Sequence, residues 1–524
     1  MSNKIEKFKT LINEKYQFKG DSVILGGAIL DGEAITDAFV EVPLKTLNRH
    51  GLIAGATGTG KTKTLQIIAE QLSSQGIPSM LMDIKVDLSG IAVASDGHPK
   101  IDERHEKIGF PFEAGSSPVE FLSLSGEKGL RLRATVTEFG ATLFSKILNL
   151  NDTQSGIVAV VFKYCDDNKL PLLDLDDFKK TLQYITNEGK EEVQKEYGRI
   201  SSASVGAITR KILELEQQGA GLFFGEPSFD VNDLVRTQDG KGIISILRLT
   251  DIQDRPKLFS TFMLQLLAEV YATFPETGDS DKPKLILFID EAHLVFEEAS
   301  SVLLDQLEAI IKLIRSKGVG IFFITQNPAD IPEDVLGQLG MKVQHALRAF
   351  TAKDRKAIRL AAQNFPETEF YEIDELLTQM GIGEAFVTVL NEKGIPTPLA
   401  HTLLRAPQSR MDVLTDTEIK NIIKTSDLYD KYSKDVDRES AHEILSAKIE
   451  AAHEEEHQEE LKKQKEKGRK SRSRNRKEKS AFEEILDSRA SREITRTISR
   501  ELTRGLLGAL GIKTTSRRRK SSWF

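Results

Sequence analysis

The chain has 524 residues, of which 39% are hydrophobic and 29% charged, with one cysteine and a net charge of −7 at pH 7. This length suffices for several layers and more than one domain, no apolar run reaches the roughly 18 residues that span a bilayer, and Met1 to Lys7 lack the apolar core of a secretory leader. The lone Cys165 excludes an internal disulfide and a cysteine-rich metal site, and the nine histidines are dispersed with no clear ligand pair, so a cytoplasmic protein is expected.

In chain order, residues 1 to about 20 form a helix with Ile5, Phe8, Leu11 and Ile12 as its apolar stripe. Short strands follow over 21–45, with turns at Gly26-Gly27 and Asp31-Gly32. An α/β core begins near Leu47. Leu52-Ile53-Ala54 ends a buried strand, Leu65, Ile67, Ile68, Ala69 and Leu72 mark a helix, and Gly55-Ala56-Thr57-Gly58-Thr59-Gly60-Lys61-Thr62 lies between them. That run matches G-x-x-x-x-G-K-[ST] at every fixed position, the phosphate-binding P-loop. The free N–H groups and positive dipole end of the helix face an anion there. The three glycines let the chain wrap a phosphate. Lys61 is placed for the β- and γ-phosphates of ATP and Thr62 for Mg²⁺; Thr64 completes the nucleotide-binding candidates.

Ser79-Met80-Leu81-Met82-Asp83 is another strand, and its terminal Asp83 either lines the nucleotide site or caps the next segment. From about 117 to 230 strand alternation gives way to helical periodicity, as in Val136, Phe139, Leu143, Phe144, Ile147 and Leu148, which predicts a helical insertion. The core resumes at Gly242 to Leu247 and runs to about 405. Leu285 to Ile289, followed by Asp290-Glu291, reads as a central strand buried on both faces. Ligands of open α/β sheets bind at the carboxyl ends of strands. Asp290 is therefore a candidate to hold Mg²⁺ through its hydration shell, and Glu291 to polarise the attacking water. His293 either touches the site or serves to cap and pack. Gly318 to Gln326 is a further strand, and its terminal Gln326 either senses the γ-phosphate or simply ends the strand.

The resulting division is 1–46 helix and short strands, 47–116 first part of the core, 117–230 insertion, 231–405 second part of the core, 406–460 carboxyl-terminal helices, and 461–524 basic tail. The tail carries 21 basic and 7 acidic side chains, a net +14 that leaves −21 on the rest. Like-charge blocks serve as interaction arms or solvated linkers. Ala490, Ile494, Ile498, Leu502 and Leu506 oppose Arg492, Arg496, Arg500 and Arg504 on one helix. That pattern suits oligomerisation, a protein partner, nucleic acid or a membrane surface.

Leu44–Gln66, Phe288–Phe296 and Phe323–Gly340 together resemble the HerA/FtsK group of ring-forming ATPases, nearest the bacterial HerA-like (YjgR-type) helicase family. The resemblance extends from about residue 20 to the tail. It implies a RecA-like P-loop NTPase core with a mostly parallel sheet, a hexameric homo-oligomer, ATP hydrolysis with Mg²⁺, and DNA translocation or unwinding. It also makes Arg315 a catalytic residue acting on a neighbouring subunit's ATP, with Arg348 as the second candidate. Residues 21–45 are too few for the β-barrel that precedes the motor in archaeal HerA. A body at −21 is not an obvious DNA-binding surface, so a nucleotide-gated assembly protein acting on protein partners stands as the alternative.

Overall fold

The computed structural model describes residues 2–474 apart from 251–254, 279, 297–300, 350, 435 and 437. Contacts divide the chain into Met1–Ala447 and Lys448–Phe524. The described part of the second unit belongs to the helix Ala441–Arg474; the opposed stripes of 490–506 lie outside the described residues.

The first unit is built on one sheet. Its strands are β1 (Ser22–Leu30), β2 (Glu33–Pro43), β3 (Gly51–Ala54), β4 (Ser79–Asp83), β5 (Val119–Ser123) and β6 (Leu130–Arg131). A two-strand ribbon, β7 (Thr237–Gln238) and β8 (Lys241–Gly242), stands apart. The sheet continues with β9 (Ile244–Arg248), β10 (Leu285–Ile289), β11 (Val319–Thr325), β12 (Met341–His345), β13 (Glu384–Thr388) and β14 (Ala400–Leu404). The order is β2-β1-β14-β13-β12-β3-β11-β10-β4-β9-β5-β6. From β12 to β6 every pairing is parallel; from β12 outward to β2 every pairing is antiparallel. All residues of β3, β4, β10 and β11 are buried, so these strands are covered on both faces.

Three expectations need correction. Gly26 and Gly27 form no turn; they lie inside β1, where a Cβ on Gly26 would stand 2.0 Å from the Leu403 carbonyl oxygen of β14. Glycine there permits a close strand approach, and the turn is at Asp31-Gly32 alone. Strand structure does not stop at 117, because β5 and β6 extend the parallel sheet. In helix α1 (Ser2–Tyr16) the buried stripe is Phe8, Ile12 and Tyr16, while Ile5 is exposed.

After α2 (Lys61–Ser74) and α3 (Pro99–Ile108), five helices follow β6: α4 (Val136–Ile147), α5 (Asp152–Asn168), α6 (Leu175–Thr186), α7 (Lys190–Glu196) and α8 (Ser202–Gln217). Capping boxes at Thr135/Glu138, Asn151/Gln154 and Asp174/Asp177 start three of them by satisfying free N–H groups. Their core is aromatic: Phe144 packs 4.8 Å from Phe178, ring centre to ring centre, and Phe223 meets Phe262 of α9 (Pro256–Thr273) at 6.0 Å. Cys165 is buried in α5 beside Thr181. No described helix is long and apolar enough to cross a membrane.

Candidate nucleotide site

The parallel strands β3, β11, β10 and β4 are neighbours, so their carboxyl ends form one edge. Gly55 to Gly60 leave β3 at that edge and α2 begins at Lys61. Gly55, Gly58 and Gly60 have φ of +151°, +77° and +114°, which glycine adopts without the Cβ clash. The loop is tied to both flanking strands: Gly55 N–H donates to Thr325 O (3.2 Å), and Ala56 N–H to Ala346 O (2.9 Å). Thr59 O accepts from Gly383 N–H at 3.0 Å.

Lys61 is buried and its Nζ donates to the Gly55 and Ala56 carbonyls at 2.7 and 3.1 Å. Burial, then the nearby Lys85 ammonium, holds it below the ordinary lysine value, against the pull of Glu291 and Asp290. Thr62 follows in the first turn and is half-buried. Thr64 faces inward: its hydroxyl donates to Gly60 O at 3.2 Å and lies 2.9 Å from His345 Nε2. Thr64 therefore braces the loop from below.

Asp290 and Glu291 follow β10 and are both 4% exposed. Burial pushes Asp290 up to about 6, with Lys85 opposing, and its Oδ1 accepts the Glu291 N–H at 2.9 Å. Glu291 has φ +46°, uncommon for a residue with a side chain. Its Oε1 is 2.5 Å from Lys85 Nζ and 3.5 Å from Gln326 Nε2; its Oε2 is 3.4 Å from His293 Nδ1. Burial works to raise this carboxyl, but Lys85, His293 and Gln326 outweigh it and hold it below the ordinary value. His293 and Gln326 thus both touch the site. Asp83 does not: its carboxylate accepts from Asp87 and Leu88 N–H, each at 3.2 Å, and burial followed by Asp87 pushes it up to about 7. It caps the turn after β4.

Thr62 and Asp290 offer a hydroxyl and a carboxylate, hard oxygen donors that suit Mg²⁺, which keeps several waters and phosphate oxygens of its own. Among the described residues no cluster of three His, Cys, Asp or Glu makes an all-protein metal cage.

Arg315 lies elsewhere. It opens the short 3₁₀ turn Arg315–Lys317 after α11 (Ser301–Ile314), the helix that follows the short α10 (His293–Phe296), and directly before β11 begins. It therefore stands at the amino edge of a seven-residue strand, on the order of 20 Å from the carboxyl edge that holds Gln326. A cavity of about 520 Å³ lies there, lined by Lys45, Arg49, Lys312 and Arg315 among others. His50 joins the two elements: its Nε2–H donates to Ile311 O at 2.9 Å and its Nδ1 accepts from Ile321 N–H at 3.0 Å. Arg348 follows β12 at the carboxyl edge, donating to Thr378 O at 3.3 Å.

Sequence reasoning missed Lys85, His345 and His50. Lys85 lies past the end of β4, in the turn that Asp83 caps, where no strand period could have pointed to it. Nothing local marked His345 or His50, whose partners are more than 250 residues distant.

A family model described as "Helicase HerA-like C-terminal" matches residues 30–517. The chain is 22% identical over 393 residues to a DNA double-strand break repair helicase HerA of Sulfolobus acidocaldarius, covering 72% of this chain and 69% of that protein. It is also 22% identical over 371 residues to the HerA helicase of Sulfurisphaera tokodaii, covering 69% and 66%. The fold is similar to that of the bacterial conjugative coupling protein TrwB lacking its first 70 residues, with a TM-score of 0.50, 14% identity, and coverage of 78% and 94%.

Proposed function

The chain belongs to the helicase HerA-like C-terminal family and carries its P-loop ATPase core, and from that premise we propose an Mg²⁺-dependent ATPase that works as a hexameric ring and drives translocation along, or unwinding of, DNA. The observation that carries the reading is the convergence of Lys61, Thr62, Asp290, Glu291 and Gln326 on the carboxyl ends of three adjacent strands, β3, β11 and β10. Phosphoryl transfer is largely positioning and charge stabilisation, and this set supplies both. The loop N–H groups and Lys61 hold the phosphates. Thr62 and Asp290 would hold Mg²⁺, which would supply positive charge against the phosphates as charge develops on them. Glu291 accepts a hydrogen bond from the attacking water and aligns it; Gln326, beside it, contacts the γ-phosphate or the same water.

Arg315 cannot reach its own loop from the opposite edge, which supports a role on the neighbouring subunit's nucleotide. The names of the HerA relatives support DNA as the track. A cytoplasmic location and a role for the basic tail toward a protein partner belong to the same proposal.

One observation favours the assembly alternative: −21 falls on residues 1–460, which repels a polyanion unless a ring lumen gathers the basic residues. ATP turnover measured with and without single- and double-stranded DNA over a salt series separates the two. DNA stimulation that fades with salt supports the motor; no stimulation and no binding at low salt rejects it. Native mass spectrometry with ATP tests the six-subunit ring.

A further inference from the structure

Lys85 has no part in the mechanism above, yet it is the group closest to Glu291. Its Nζ is 2.5 Å from Oε1 of a carboxylate that is 5% exposed, while the lysine itself is 36% exposed. The pair joins a partly solvated cation on one strand end to a buried anion on the next but for one register: β4 and β10 are parallel neighbours, Met82 opposite Ile289. Both backbones are held in the left-handed region beside the pair. Val86, adjacent to Lys85, has φ +59°, and Glu291 has φ +46°. A β-branched residue there is a steric outlier, and such conformations persist where the surroundings over-determine them. Here the surroundings are visible: the Asp83 carboxylate takes the N–H groups of both Asp87 and Leu88 and closes the turn that carries Lys85.

Lys85 also lies within electrostatic range of Lys61, being the largest charged influence on it. The ammonium is thus paired with the water-polarising glutamate and acts electrostatically on the phosphate-binding lysine. In this geometry Glu291 spends one oxygen on an ammonium. A terminal phosphate bound at Lys61 brings a larger negative charge within the same lysine's neighbourhood, and a flexible four-carbon stem lets a point charge move between acceptors.

We propose that Lys85 is a γ-phosphate-responsive latch: it holds Glu291 aside through the ion pair, and transfers to the terminal phosphate of a bound nucleoside triphosphate, releasing the carboxylate to the attacking water. This inference rests on Glu291 as the water-polarising residue and goes beyond it by coupling that residue to the presence of the third phosphate. Lys85 is a positioning residue for Glu291.

The test is nucleotide binding by full-length protein with Mg²⁺, comparing ADP with the non-hydrolysable triphosphate analogue ADPNP in four proteins: wild type, Lys85→Met, Glu291→Gln and the double variant. Glu291→Gln frees the ammonium and should tighten ADPNP by about tenfold, a gain absent in the double variant. Lys85→Met should weaken ADPNP and leave ADP affinity within about twofold, since the latch answers only to the third phosphate. Lys85→Arg, which keeps the charge, should restore most of the ADPNP affinity. Equal weakening of ADP and ADPNP by Lys85→Met, or additive effects of the two substitutions on ADPNP, overturns the latch and leaves a merely structural ion pair. Failure of the underlying reading is separate: it shows as ATP turnover retained by Glu291→Gln, whatever the binding data give.

Discussion

His50 is the clearest place to break the fold and read the result. It is 3% exposed, it bridges Ile311 O and Ile321 N–H, and its backbone sits at φ 58°, ψ 168°, a region essentially restricted to glycine. His50→Ala deletes both hydrogen bonds and keeps the strain; each buried group left without a partner costs about 1–3 kcal/mol. His50→Gly deletes the same bonds but tolerates the backbone, so it should be the more stable of the two variants by about 1 kcal/mol. The imidazole also has a pH signature. Burial first, with Arg315 adding to it, lowers its pKa from 6.5 to about 4. Between these values the unfolded chain binds a proton that the native chain does not. The contribution is therefore complete above pH 6.5 and is lost as pH falls through 4, by about 3 kcal/mol in all. Urea unfolding followed by circular dichroism from pH 8 to pH 4 measures both effects. Each variant should have a lower midpoint than wild type at pH 8 and a shallower decline between pH 6.5 and 4. Midpoints equal to wild type at pH 8, or an unchanged acid decline, refute the bridging role.

Four further outcomes follow from the same geometry. Lys61→Ala should lose most ATP binding, whereas Glu291→Gln should bind ATP and lose about 10²–10⁴ in turnover, read by equilibrium binding and steady-state hydrolysis. Arg315→Ala should lower turnover by up to about 10³–10⁵ while leaving the nucleotide affinity of isolated subunits intact; mixing it with Glu291→Gln subunits should restore activity at mixed interfaces, and an active, fully oligomeric Arg315→Ala protein rejects the trans role. Gly26→Ala, with its Cβ 2.0 Å from Leu403 O, should destabilise the β1–β14 edge by about 1–3 kcal/mol, seen as a lower melting temperature. Glu70 of α2 is pushed up from 4.5 to about 7 by burial, although the Gln408 and Ser409 N–H groups and the Ser409 hydroxyl all donate to it. Its proton-linked stability is therefore present below pH 4.5 and lost as pH rises through 7, and Glu70→Gln should remove that part of the pH dependence, about 3 kcal/mol across the window.

Legibility in the sequence followed the range of the interactions. The P-loop, Asp290-Glu291 and Gln326 were readable because a buried parallel strand writes itself as a continuous apolar run, and its last residue is the first that can meet a ligand. Gly55 to Thr62 joins the end of β3 to the start of α2. The antiparallel edge was less readable. Gly26-Gly27 has the composition of a turn, and only the approach of Leu403 from nearly 400 residues away explains it as strand. Strands β5 and β6 are five and two residues long, too short for a period-2 pattern to stand out before the helices begin.

The least legible layer is the one that sets how the obvious residues behave. Asp83 ends its strand as Asp290 nearly does, yet Asp83 gives both carboxylate oxygens to the turn that follows, whereas Asp290 gives Oδ1 to the Glu291 N–H. The difference lies in what comes next. After Asp83 the chain folds back so that Asp87 and Leu88 consume both carboxylate oxygens, and that turn delivers Lys85 to Glu291. After Asp290 the chain enters the left-handed region at once, which turns Glu291 toward Lys85, Gln326 and His293. A strand-terminal acid is thus an incomplete signal of catalysis. The three to five residues after it decide whether its oxygens are spent on the backbone or kept for chemistry, and in this chain the spent carboxylate is what positions the cation facing the kept one.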